Sequence, residues 1–302
     1  MNDFNIVSNE EFALIERMRK EKQHEEYKYL HLLKDIMEKG VRCPNRTGVD
    51  ALTLPHAVLS FDMANGFPLF THKKMATKTF KVELEGFIKG ITDKKWYQDR
   101  GCHIWDEWCN PTKVKYGHDA DTKKKMREEN DLGKIYGYQW RNFNSQGVDQ
   151  LKWIVEELKK NPSNRQLVCS AWNPVEKAEQ GLPPCHVLWN VFTTDNTLHL
   201  CWFQRSCDFP LGIPANVMSY SLLLHLLCKE TGLVPGKVSG FLSNCHIYVN
   251  QIDGVKEALT RPVYDFPQVK TDKFTSIFDW EANNTKFDNY KCGDKIPFII
   301  AV

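Results

Sequence analysis

Apolar and polar positions change their spacing several times along this chain, and each change marks an element. Phe12, Leu14, Ile15 and Met18 recur at helical spacing, which predicts a helical segment over residues 1–40. "RTGVDALTLPHAVLSFD" (46–62) alternates as a strand does, and "TKTFKVELEGFIKG" (77–90) returns to helical spacing until Gly90 stops it. "VDQLKWIVEELKKNP" (148–162) predicts an amphipathic helix ended by Asn-Pro. Three strand-like runs follow, at 165–173, 185–194 and 198–206, close enough in sequence to predict an antiparallel region of sheet. "NVMSYSLLLHLLCKETGLVPG" (216–236) is apolar nearly all round and predicts a buried helix ending at Gly232, with Pro235 just beyond. A strand at 237–250 and a short helix at 252–262 complete the order. Helices and strands mix without βαβ alternation, so the pattern predicts an α+β fold around a large mixed sheet flanked by helices.

Within 302 residues there is no repeat, low-complexity tract or Pro/Gly/Ser linker, which predicts one domain over 1–302. The net charge is only +2, and the lysine run at 122–130 is interleaved with acids. Bulk attraction to nucleic acid or membrane is therefore not indicated, and that run reads as a solvated surface. No apolar stretch reaches the ~20 residues of a bilayer span, and the charged N-terminus has no signal-peptide core, so a cytoplasmic location is expected. The ten cysteines include no C-x-x-C pair and no Cys/His zinc spacing, so they are expected to be reduced and metal-free.

Candidate chemistry gathers in a few short runs. In "GLPPCHVL" (181–188), Pro183 and Pro184 stiffen the backbone directly before Cys185. That cysteine is either a nucleophile, if a positive neighbour lowers its pKa, or an inert buried thiol. "QRSCDFPLGIPAN" (204–216) offers Arg205 and Ser206 for an anion, then Asp208, and ends in Asn216, whose amide both donates and accepts. His246 and Tyr248 share one strand face, and Arg46 sits beside a glycine turn. Trp105 and Trp108 suit the wall of a flat-ligand site. Glu83 falls inside an apolar helix, as an exposed acid or a buried one with a raised pKa.

In this order, "RTG", "GFPL", "TKTFKVEL", "GCHIWDEW", "DLGKIYGYQWR", "SAWNP", "LPPCH", "QRSCD", "LGIPAN" and "HIYVNQI" resemble the thymidylate synthase family from Arg46 to Val302. The resemblance implies a thymidylate-synthase-like α+β domain whose sheet face forms a homodimer. It implies transfer of a one-carbon unit from the co-substrate 5,10-methylenetetrahydrofolate to C5 of dUMP, without a metal. Cys185 would add to C6 of the uracil, with Arg205 lowering the thiol pKa. Arg46, Arg205, Ser206 and, from the partner subunit, Arg165 would hold the phosphate. Gln166, Gln204 and Cys207 fall at further substrate-binding positions, His246 and Tyr248 would contact the sugar, and Asn216 would read the uracil edge. Glu83 would order water and relay protons, Tyr136 would help to remove the C5 proton, and Asp208 would bind the pterin. Trp105, Trp108, Leu182, Leu211, Gly212 and Ala215 would line the folate pocket, closed by Ala301 of the tail.

Three positions depart from the family pattern. Gln166 stands where a second phosphate arginine is usual, Ala215 where a phenylalanine packs on the folate, and Lys134 where proline is usual. Residues 111–130 form an insertion. Reductive methylation to dTMP is the expected outcome. The three departures raise the alternative of a hydroxymethylase, in which water rather than hydride reaches the new carbon, and the lost arginine a third reading, an inactive nucleotide- or RNA-binding relative.

Overall fold

The computed structural model describes residues 24–299, so the helical expectation for Phe12 to Met18 and the position of Ala301 lie outside the described residues. The first element is α1 (Glu26–Lys39), which buries Tyr29, Leu30, Leu33 and Ile36 on one stripe. A short β1 (Val41–Cys43) leads to β2 (Ala51–Asp62), then α2 (Thr77–Lys89), α3 (Lys94–Gln98), α4 (Ala120–Glu128), α5 (Tyr136–Arg141) and α6 (Gln150–Lys160). The antiparallel run is β3 (Val168–Ser170), β4 (His186–Thr194) and β5 (Thr197–Gln204). After it come β6 (Cys207–Asp208), α7 (Gly212–Thr231), β7 (Val234–Tyr248) and α8 (Ile252–Thr260), then a separate pair, β8 (Gln268–Thr271) and β9 (Thr285–Asp288).

Seven strands form one mixed sheet in the order β1-β2-β7-β5-β4-β3, with β6 also paired to β7. β7 is its spine, antiparallel to β2 from Ala51↔Tyr248 to Asp62↔Lys237 and parallel to β5 and β6. Parallel neighbours need a long crossover, and the 20-residue α7 supplies it between β6 and β7. The helix is buried from Ile213 to Cys228 on nearly every side, and Tyr220 stacks on Trp202 of β5 at 5.1 Å. Its apolar belt therefore packs against the sheet on one side and against other elements on the rest.

Of the boundaries that differ from the pattern reading, two have a clear local reason. α7 starts at Gly212 rather than at Asn216, because Pro214 lies in the first turn, where a missing N–H breaks no intrahelical bond. Asn216 thus sits one turn inside the helix. β3 is cut to three residues, since the Asn164 side chain takes the Gln166 N–H into a turn and both Ala171 and Trp172 donate to Val187 O beyond the strand. Among the described residues, no helix is long and apolar enough to cross a membrane.

Under the sheet, the fully buried Glu26 carboxylate joins α1 to the 71–72 turn. It accepts from Thr71 N at 2.8 Å, Thr71 Oγ1 at 2.7 Å, His72 N at 2.8 Å and His72 Nδ1 at 2.6 Å. Burial outweighs the carboxylate at His72 and holds its pKa below 6.5, so the ring donates as neutral imidazole. Glu26→Leu strands two buried backbone donors and should lower stability by about 3 kcal/mol in urea unfolding. A loss below about 1 kcal/mol would show that the carboxylate is not the anchor.

Candidate active site

Proline has no N–H to give, so the Pro183-Pro184 corner presents carbonyls that need a donor from elsewhere. Arg205 supplies it. Its Nε donates to Pro184 O and its Nη2 to Pro183 O, both at 2.8 Å. The backbone repeats the tie, with Arg205 N donating to Cys185 O at 2.9 Å where β4 and β5 meet. On the other side, Cys185 N donates to the Tyr136 hydroxyl at 2.7 Å. The corner is thus gripped from both sides, and Cys185 is held in a fixed place directly before strand β4. Gly133 and Gly181 bring the supporting loops together. Gly133 has φ +72, and a Cβ there would meet Glu179 O at 1.7 Å, so only glycine allows the crossing beside Leu182.

Cys185 lines a cavity of about 780 Å³ together with Arg46, Arg205, Ser206, His246, Tyr248, Trp108 and Leu182. Eight residues singled out from sequence therefore share one wall. Arg205 packs over the Trp172 indole at 5.3 Å, and His246 is oriented by Asn244, whose carbonyl and side-chain oxygens both lie 2.9 Å from its Nδ1. Behind the wall, Tyr136 stacks on His186 at 4.2 Å and on Phe87 at 4.9 Å. The His186 Nδ1 lies 2.7 Å from the Tyr220 hydroxyl, and burial drives the His186 pKa down to about 3. That imidazole is neutral and supplies no charge to the neighbouring thiol.

Burial pushes the Cys185 thiol above its ordinary 9.0, while Arg205, the Tyr136 hydroxyl and Arg46 pull it back in that order. Arg205 lowers the thiol pKa as expected, and burial, the larger effect, leaves the net shift upward. Glu83 keeps some accessible surface, yet protein crowds its carboxyl, and burial raises its pKa to about 8. The Trp105 indole N–H makes no well-formed hydrogen bond among the described residues, and its attraction for the carboxyl offsets only part of that rise. Glu83 is accordingly protonated at neutral pH.

Asp208, Leu211, Gly212, Ala215 and Asn216 do not line this cavity but follow it from the end of β6, through the β6–α7 turn, into the start of α7. The turn is tied to the cavity wall through the pairing of Asp208 with His246. Asp208 accepts from Gln251 Nε2 at 3.1 Å and from Leu211 N at 3.2 Å, and burial raises its pKa. The same Gln251 amide donates to Ile299 O at 3.2 Å, which brings Ile299 beside Asp208. Ala215 is buried at 8% exposure. Gln204 and Cys207 are buried supports: Gln204 Nε2 donates to Ser206 O, and Cys207 pairs with Cys245. Arg165 and Gln166 are exposed and lie apart from the cavity of their own chain. Among the described residues no cluster of His, Cys, Asp or Glu has the grouping of a metal site.

The sequence profile described as thymidylate synthase matches residues 27–302. This chain belongs to the thymidylate synthase family. It is 39% identical over 274 residues to the thymidylate synthase of Mycoplasma genitalium, covering 87% of this chain and 95% of that protein. It is 37% identical over 288 residues to the thymidylate synthase of Francisella philomiragia, covering 91% and 99%. A bifunctional dihydrofolate reductase-thymidylate synthase of Paramecium tetraurelia is 38% identical over 298 residues, which are 93% of this chain and 62% of that longer protein.

Against the family pattern, Lys134 is explained locally. Its ammonium pairs with Glu176 at 2.8 Å and Glu179 at 3.0 Å, which raises its pKa to about 12. It is a strut for the loop before Leu182. Sequence reasoning missed several further wall residues, among them Trp172, Lys177 and Tyr116. Trp172 lay in a quoted motif but carried no role, and the other two gave no signal because neither falls on a family motif.

The thiol balance yields a direct test. Iodoacetamide labelling of Cys185 in the free protein should keep rising above pH 9, and Arg205→Ala should slow it about tenfold at pH 8 by removing the nearest cation. A plateau by pH 7, or faster labelling in the variant, would contradict the balance.

Proposed function

We propose that this chain is a thymidylate synthase, transferring the one-carbon unit of 5,10-methylenetetrahydrofolate to C5 of dUMP to give dTMP and dihydrofolate. The observation that carries this reading is the gripped Cys185 in the wall of a cavity that also holds Arg46, Arg205 and Ser206. The Cys185 sulfur adds to C6 of the uracil, which makes C5 a carbon nucleophile. The co-substrate supplies the methylene carbon and then the hydride. Arg46, Arg205 and Ser206 bind the phosphate dianion, and Arg205 does so with the guanidinium nitrogen not engaged by the proline carbonyls. His246 and Tyr248 take the deoxyribose, and Asn216 matches the acceptor and donor of the uracil edge.

Protonated Glu83 has a proton to share near O4, through ordered water, because burial raises its pKa to about 8. Tyr136 bridges from the Cys185 N–H toward the reacting ring and assists loss of the C5 proton. Asp208 holds the pterin, with Trp105, Trp108, Leu182, Leu211 and Gly212 around the folate. The active unit is a homodimer. One sheet face aligns Val58, Phe241 and Phe203 in register across β2, β7 and β5, and each is 40% exposed or more. An exposed apolar row of this kind suits a second copy, and that arrangement would bring the exposed Arg165 to the partner's phosphate.

Incubation with dUMP and 5,10-methylenetetrahydrofolate should produce dTMP and dihydrofolate in equal amounts, followed by dihydrofolate absorbance and mass spectrometry. Hydroxymethyl-dUMP without dihydrofolate would establish the hydroxymethylase reading raised by Ala215. No product at all would overturn both.

A further inference from the structure

The insertion at 111–130 is fixed at its base. Asn110 N donates to Asp131 O at 2.7 Å, Asn110 Nδ2 donates to Asp131 Oδ2 at 2.9 Å, and Lys94 N donates to Asn130 O at 2.7 Å. The fully buried Lys94 ammonium then donates to Met126 O at 2.7 Å, near the C-terminal end of α4, where a cation meets free carbonyls. The Asp119 side chain accepts from Thr122 N at the other end of the helix. This arm is a braced element rather than a loose loop. What it delivers is Tyr116, which lines the cavity and stacks on Trp108 at 5.8 Å with 12° between the rings.

The Tyr116 ring of this aromatic pair matters for Arg46. Arg46 is exposed, and among the described residues its side chain forms no ion pair and no hydrogen bond. Its guanidinium lies 5.9 Å from the Tyr116 ring centroid, within the range of a cation–π contact. A long side chain with no other orienting partner loses rotamer freedom when it binds an anion, and a stacking surface reduces that loss beforehand.

We propose that Tyr116 is a positioning residue that holds Arg46 ready for the 5′-phosphate of the nucleotide, which gives the insertion a role in substrate binding. This rests on the dUMP reading above and adds to it a residue that no family motif contains. The aromatic face does the work, so the hydroxyl is dispensable.

The test compares dUMP and deoxyuridine, which lacks the phosphate, on the full-length protein. Tyr116→Ala should raise the KM for dUMP about three- to fivefold with kcat little changed, and leave binding of deoxyuridine unaltered. Tyr116→Phe should restore the wild-type KM, and Tyr116→Ala should add nothing in an Arg46→Ala background. An unchanged KM in Tyr116→Ala, a failure of Phe to rescue, or an equal further loss in the Arg46→Ala background would each overturn the assignment. Wild-type protein that neither binds nor turns over dUMP would instead overturn the functional reading beneath it.

Discussion

A Pro-Pro corner has two carbonyls to satisfy and no N–H of its own, and the forked guanidinium of Arg205 is the group that fits it. Both Pro183 and Pro184 carbonyls receive 2.8 Å bonds from one side chain. A lysine has a single ammonium and lacks the rigid fork, so it would not reproduce the grip and still present a charge to the cavity. The arginine is itself placed by strand register, since β4 and β5 pair at His186↔Gln204 and Arg205 N reaches Cys185 O. Sheet register, nucleophile position and anion site are therefore one constraint. A slip of one residue would turn Arg205 to the opposite face and release the corner.

The electrostatics of the site follow from the same compactness. Crowding raises the pKa values of Cys185, Glu83, Tyr136 and Asp208, and at the thiol Arg205, the Tyr136 hydroxyl and Arg46 act against it. With the cavity empty, this balance keeps the thiol protonated. A reactive thiol that waits for its substrate is less exposed to stray oxidation and alkylation. Farther out, charged residues serve as struts: Lys134 between Glu176 and Glu179, and Lys94 inside the base of the insertion. They hold in place the two segments that border the cavity, the loop before Leu182 and the arm bearing Tyr116.

Much of this was legible in the sequence where local pattern and tertiary role agree. The apolar run around Leu223 reads as a buried helix, and the alternation at 46–62 reads as a strand, which the structure forms from Ala51 on. Cys185, Arg205 and His246 were found because they stand in motifs. The start of α7 was misplaced because a proline in a first turn looks like a breaker in sequence and acts as none in structure. The effect of Arg205 on the Cys185 thiol was legible because charge is written in the sequence, and the larger, opposite effect of burial was not. Tyr116 gave no sign because its meaning depends on an arm folding back over Arg46, seventy residues upstream. The expectation for Lys134 was open for the same reason, its partners lying more than forty residues away.

The account stands on Cys185 as the atom that bonds to the pyrimidine. Intact mass spectrometry after incubation with 5-fluoro-dUMP and 5,10-methylenetetrahydrofolate measures that bond directly. One nucleotide and one folate should be found covalently attached per chain, on the peptide containing Cys185, and Cys185→Ser should carry neither. An adduct that persists in Cys185→Ser, or a wild-type protein that forms none, would contradict it.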